Sequence, residues 1–125
     1  MKKLVVILML VLTFSSCSHD EPSLESVVIA VESIVMPATY RVDSVSVIML
    51  KYKKPTNCYA FDGIYYAKNE NTRTVAINVV KFNENNCQRI MENSFEVPLD
   101  FQPKALGIYI FKFWIGTNAN GLDQY

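Results

Sequence analysis

The chain has 125 residues, half of them hydrophobic, with 12 basic side chains, 12 acidic side chains and one histidine. A length of this order builds one domain around one core, and the balanced charge gives no electrostatic case for binding nucleic acid. Three cysteines are an odd count, which normally calls for a partner outside the chain.

At the N-terminus, Lys2 and Lys3 precede nine apolar residues, Leu4 to Leu12, followed by Thr13-Phe14-Ser15-Ser16-Cys17. A basic start, a short apolar run and small residues make a secretory signal. The run is too short to cross a bilayer about 30 Å thick, which needs roughly 20 residues. With Cys17 directly behind the small residues, the segment resembles a bacterial lipoprotein signal spanning residues 1–16. The resemblance implies that the sulfur of Cys17 is acylated and becomes the new N-terminus. At about 0.8 kcal/mol per buried methylene, two or three acyl chains hold a protein on a membrane almost permanently. The following Ser18-His19-Asp20-Glu21-Pro22 resembles the acidic export signal of surface lipoproteins in the Bacteroidetes. That implies an outer-membrane, cell-surface address; a tether facing the periplasm is the alternative. Removing residues 1–16 leaves ten basic against twelve acidic groups, a net charge of −2.

Residues 17–26 read as the lipidated cysteine and a flexible tether, and residues 27–125 as the folded domain. Leu24, Val27, Val28, Val31, Ile34 and Val35 follow helical spacing. Six of the nine residues from Val27 to Val35 are nevertheless Val or Ile, so a strand ending at Met36-Pro37 is expected. Arg41 to Lys53 is a second strand, with Val45, Val47 and Met49 on one face and Ser46, Ile48, Leu50 and Tyr52 on the other. After a turn at Lys53–Asn57, Cys58 to Tyr66 is an aromatic-rich strand with a bulge expected near Asp62-Gly63.

Asn69-Glu70-Asn71-Thr72 reads as a hairpin loop leading into a strand from Arg73 to Phe82, and Asn83–Asn86 as a second turn. From Ser94 to Phe101 the alternation is strict, with Phe95, Val97, Leu99 and Phe101 facing one way. Pro98 cannot donate to a ladder, so an edge strand or interrupted pairing is expected here. Ile108 to Trp114 is the most hydrophobic strand, and Gly116 to Gln124 is a polar segment before Tyr125.

Six short strands with turn signals between them predict an all-β fold, a single immunoglobulin-like antiparallel β-sandwich of about six or seven strands. A true immunoglobulin domain carries a Trp between its two cysteines; here Trp114 follows both. With Cys17 assigned to lipid, Cys58 and Cys87 remain as a pair for a disulfide in an oxidising compartment. A zinc site at these cysteines lacks ligands, because His19 lies in the tether.

The segments Met36-Pro37-Ala38-Thr39, Asn57-Cys58-Tyr59-Ala60-Phe61, Cys87 and Gly107 to Trp114 together resemble a group of small Bacteroidetes lipoproteins with an immunoglobulin-like sandwich. All are packing motifs, so the resemblance implies a fold and an address and no activity. It also implies one more strand after the polar segment. This chain stops at Tyr125, where that strand would begin, so either a truncated sandwich or an open edge beside the last strand is expected.

No catalytic constellation is visible. With His19 outside the domain, no Ser-His or Cys-His pair forms in the core. Asp62, Glu84, Glu92, Glu96 and Asp100 are scattered, and there is no Gly-rich phosphate loop. No metal and no cofactor is expected. The functional candidates are aromatic: Tyr52, Tyr59, Tyr65, Tyr66 and Trp114 are expected to stack on a glycan or to hold a protein ligand. Asp43-Ser44-Val45 matches the Bacteroidetes O-glycosylation pattern, with Ser44 as acceptor. The sequence thus points to a non-catalytic binding or assembly module on a lipid anchor, the alternative being a pilus-like subunit completed by a donated strand.

Overall fold

A computed structural model describes residue 16 and residues 23–91 and 94–125. Residues 1–15 of the expected lipoprotein signal, with Cys17, His19 and Glu92, lie outside the described residues. Among the described residues nine strands follow in order: β1 (Leu24–Ile29), β2 (Ser33–Val35), β3 (Ser46–Lys53), β4 (Tyr59–Asn69), β5 (Thr72–Phe82), β6 (Ser94–Phe101), β7 (Ile110–Phe113), β8 (Gly116–Thr117) and β9 (Asp123–Gln124). The domain is an all-β sandwich. One sheet has the order β2-β3-β6; the other has β5 in the middle, with β4 along one edge and both β1 and β7 along the other. All pairings are antiparallel except that of β7 with β5. In the facing sheet β5 takes the middle place through its hairpin with β4.

The core is the meeting of the two inner faces. Ile48, Leu50 and Tyr52 of β3 and Val97, Leu99 and Phe101 of β6 pack on Val75, Ile77 and Val79 of β5. These positions are those the period of two sets facing inward, and Pro98 sits on β6 at the sheet edge, where a missing donor is tolerated. Aromatic rings close one end of the core: Phe101 lies edge-on to Tyr40, Tyr109 and Phe111, with centroids 5.4, 5.1 and 5.0 Å apart. The disulfide between Cys58 and Cys87 is formed, with Cα atoms 5.5 Å apart, and joins the start of β4 to the segment after β5.

The segment expected as one strand over Val27–Met36 is two. β1 pairs with β5, and β2 pairs with β3 in the other sheet. The crossing falls at Val31, whose N–H donates to Trp114 O, and Glu32, whose N–H donates to Lys51 O. Val27, Ile29 and Val31 turn inward at a period of two, and Ile34 turns inward after the crossing resets it. That reset is what imitates helical spacing in the sequence.

The bulge in β4 falls where the sequence places it. Phe61 lies opposite Val79 and Gly63 opposite Asn78, leaving Asp62 as the extra residue. As a result Phe61, Ile64 and Tyr66 share the inner face although their spacing is not even. The strand expected from Arg41 begins only at Ser46. Asp43 adopts φ 60° and its N–H bonds to Pro103 O, which holds residues 41–45 as a turn. The polar segment Gly116–Gln124 forms the β8–β9 hairpin. Its turn is fixed by Asn118, whose Oδ1 accepts from the N–H groups of Asn120 and Leu122, and by Gly121 at φ 75°.

Candidate aromatic groove and open side

Of the five aromatic candidates, the sandwich turns three inward. Tyr52 is 2 % exposed in the core, where burial pushes its phenol pKa up, and presents no ring to a ligand. Tyr59 and Tyr66 pack against the core from β4. The cause is the pleat: Tyr52 shares the face of Ile48 and Leu50, and the bulge puts Tyr66 on the face of Ile64. Tyr65 and Trp114 are different. Tyr65 stands on the outer face of β4, 52 % exposed and directly across from Ala76. Trp114 follows β7, which lies on the far side of β5, and lines the same outer face.

Together they make a groove. Its floor is the outer row of β5, Thr74, Ala76 and Asn78; Tyr65 forms one wall, and Val28, Trp114, Asp123 and Tyr125 form the other. The cavity holds about 330 Å³, within the range of small-molecule sites. Ala76 is the reason it exists, since a larger side chain between Tyr65 and Trp114 would fill it. The indole is fixed by its Nε1–H, which donates to Asp123 Oδ1 at 2.9 Å. Lys112 Nζ lies 4.5 Å from the centroid of the Tyr125 ring. Tyr125 carried no signal in the sequence, because the hairpin that brings it beside Trp114 is made of polar residues.

The groove offers flat apolar faces beside hydroxyl, amide and carboxylate groups. Nothing in it pairs a nucleophile with a base. No cluster of three or more His, Cys, Asp or Glu side chains suited to a metal ion is found among the described residues. Ser44, the glycosylation candidate, lies exposed in the turn before β3.

A second feature runs along the side of the sandwich between β2 and β7. One cleft of about 240 Å³ is lined by Val31, Ile34, Phe111, Phe113 and Ile115. Another of about 150 Å³, lined by Met36, Tyr40, Phe101, Tyr109 and Phe111, adjoins it through the shared Phe111. Ile110 and Trp114 direct their N–H groups to Asn71 O and Val75 O. Ladder alternation therefore leaves the N–H groups of Phe111 and Phe113 on the other edge, where no strand pairs among the described residues. Leu106, Ile108 and Ile110, at the same end of the molecule, are 93 %, 83 % and 55 % exposed.

Comparison with protein-family models, with curated proteins and with solved structures finds no match to this chain.

Proposed function

We propose that the chain is a non-catalytic binding module, held at the outer membrane by lipid on Cys17, that takes its ligand in the Tyr65–Trp114–Tyr125 groove. The reading rests on one observation: the exposed Tyr65 and the half-buried Trp114 stand apart over a small floor residue, Ala76, with the indole fixed by Asp123. Stacking faces flanked by Thr74, Asn78 and Asp123 suit a sugar ring, whose C–H face packs on an aromatic while its hydroxyls bond the polar rim. The lipoprotein signal at residues 1–16 and the acidic run behind Cys17 support a cell-surface address, in line with the resemblance to small Bacteroidetes lipoproteins.

A glycan array tests the reading. Wild-type protein binds a defined set of glycans, and Trp114→Ala or Tyr65→Ala weakens that binding about tenfold, the scale of one lost stacking contact. Tyr65→Ala leaves stability within about 0.5 kcal/mol, as expected for an exposed side chain. A wild-type protein that binds no glycan would sink the assignment.

The open side of the sandwich favours a second reading, a subunit completed by a strand donated from another chain. The apolar clefts along β7 and the free N–H groups of its open edge are the observation behind it. The two readings separate by oligomeric state: a binding module is active as a monomer, and a strand-completed subunit is not.

A further inference from the structure

A cationic cleft lies between the two sheets, on the face of β4 and β5 opposite to the groove. It holds about 280 Å³, and its charged lining is Lys68, Arg73, Lys104 and Asp100. Lys104 also reaches Asp43, with Nζ 3.4 Å from Oδ1, at the exposed rim. Arg73 is the unusual member. It is only 9 % exposed, on the inner face of β5, and it takes part in no ion pair among the described residues. A buried cation without a counter-charge is costly, and such charges are ordinarily paired or neutralised.

The guanidinium is half used. Nη1 donates to Glu70 O at 2.7 Å and to Thr72 O at 3.1 Å, which secures the two-residue turn between β4 and β5, where Glu70 adopts φ 52°. The Tyr109 ring centroid lies 5.2 Å from Cζ. On the opposite edge, Nε is buried and has no hydrogen-bond partner among the described residues. Nε and Nη2 share that edge, and the two parallel N–H groups there match the two oxygens of a carboxylate or two oxygens of a phosphate.

We propose that this cleft is an oxyanion-binding site in which Arg73 takes a carboxylate or phosphate group on its Nε edge, with Lys68 and Lys104 adding positive charge at the mouth. The site is separate from the aromatic groove and does not depend on the reading of that groove. Asp100 is the one carboxylate in the lining, and Asp43 partly offsets Lys104 at the rim. The orphaned Nε then gains its acceptor, and the buried charge its counter-ion.

The test reads Arg73 directly. The chain has three arginines, Arg41, Arg73 and Arg89, so the Nε–Hε cross-peaks of the 15N-labelled full chain are few, and Arg73→Lys identifies one by removing it. Sodium acetate and inorganic phosphate are titrated in turn against sodium chloride at matched ionic strength. The Arg73 peak moves and saturates with acetate, phosphate or both, while Arg41 and Arg89 do not, and the anion that saturates names the ligand chemistry. In Lys68→Ala/Lys104→Ala, which changes two exposed side chains and keeps the core, the same titration saturates at roughly tenfold higher anion concentration. An Arg73 peak that ignores both anions, or three arginine peaks drifting together without saturation, overturns the proposal.

Discussion

Strands β5 and β7 lie side by side, and the sequence ranks them in the wrong order. Six of the seven residues from Ile108 to Trp114 are apolar, yet β7 is only four residues long. It pairs with one strand and leaves Ile110 more than half exposed. β5 mixes Arg, Thr, Asn and Lys with its apolar residues, yet it is flanked on both edges, and Val75, Ile77 and Val79 are fully buried. What centres β5 is its inner row of Val75, Ile77 and Val79 backed by the small or polar outer residues Thr74, Ala76 and Asn78, with partners on both edges. β7 is apolar in both directions and has only one sheet to bury against. The surplus hydrophobicity of β7 therefore appears at the surface, beside the open side of the sandwich.

Three measurements press on this contrast. The largest effect is expected in β5: Ile77→Ala removes a side chain held between the two sheets and lowers unfolding free energy by about 2–5 kcal/mol in urea titration. A cost near zero would mean that β5 does not centre the core. The second concerns how β5 is anchored at its C-terminal end. Cys58→Ser/Cys87→Ser opens the 29-residue separation closed by the disulfide and lowers stability by roughly 3–4 kcal/mol in the chain-entropy account. The same loss should follow reduction of the wild-type protein. The smallest effect is expected in β7: Ile110→Ala changes unfolding free energy by no more than about 0.5 kcal/mol. If Ile110→Ala instead costs as much as Ile77→Ala, β7 is covered in solution by another chain, and the strand-completed reading gains its first direct support.

Much of the sandwich is legible in the residues. The alternation of Phe95, Val97, Leu99 and Phe101, and of Ile48, Leu50 and Tyr52, fixes which way β6 and β3 face. Asp62-Gly63 marks the bulge, and Cys58 and Cys87 find each other. The crossing at Val31–Glu32 is hidden because a strand that changes sheets resets its own period, and a reset period of two reads as a helix. The groove is half legible. Tyr65 and Trp114 are visible as aromatics, but their meeting depends on the parallel placement of β7, which no local pattern encodes. Tyr125 joins them only through a hairpin whose turn chemistry, Asn118 and Gly121, lies among residues that read as plain loop. Arg73 reads as the first residue of a strand; its burial and its unpartnered Nε emerge only when β7 brings Tyr109 beside it.

The bulge at Asp62 makes β4 one residue longer than its ladder requires. Skipping Asp62 would leave Phe61, Gly63, Ile64, Tyr65 and Tyr66 alternating in, out, in, out, in, with each opposite its present partner on β5. Loss of this single codon is therefore a change in chain length that preserves both the core face and the Tyr65 wall. Length variation among descendants of this chain has a site inside a strand as well as in the loops.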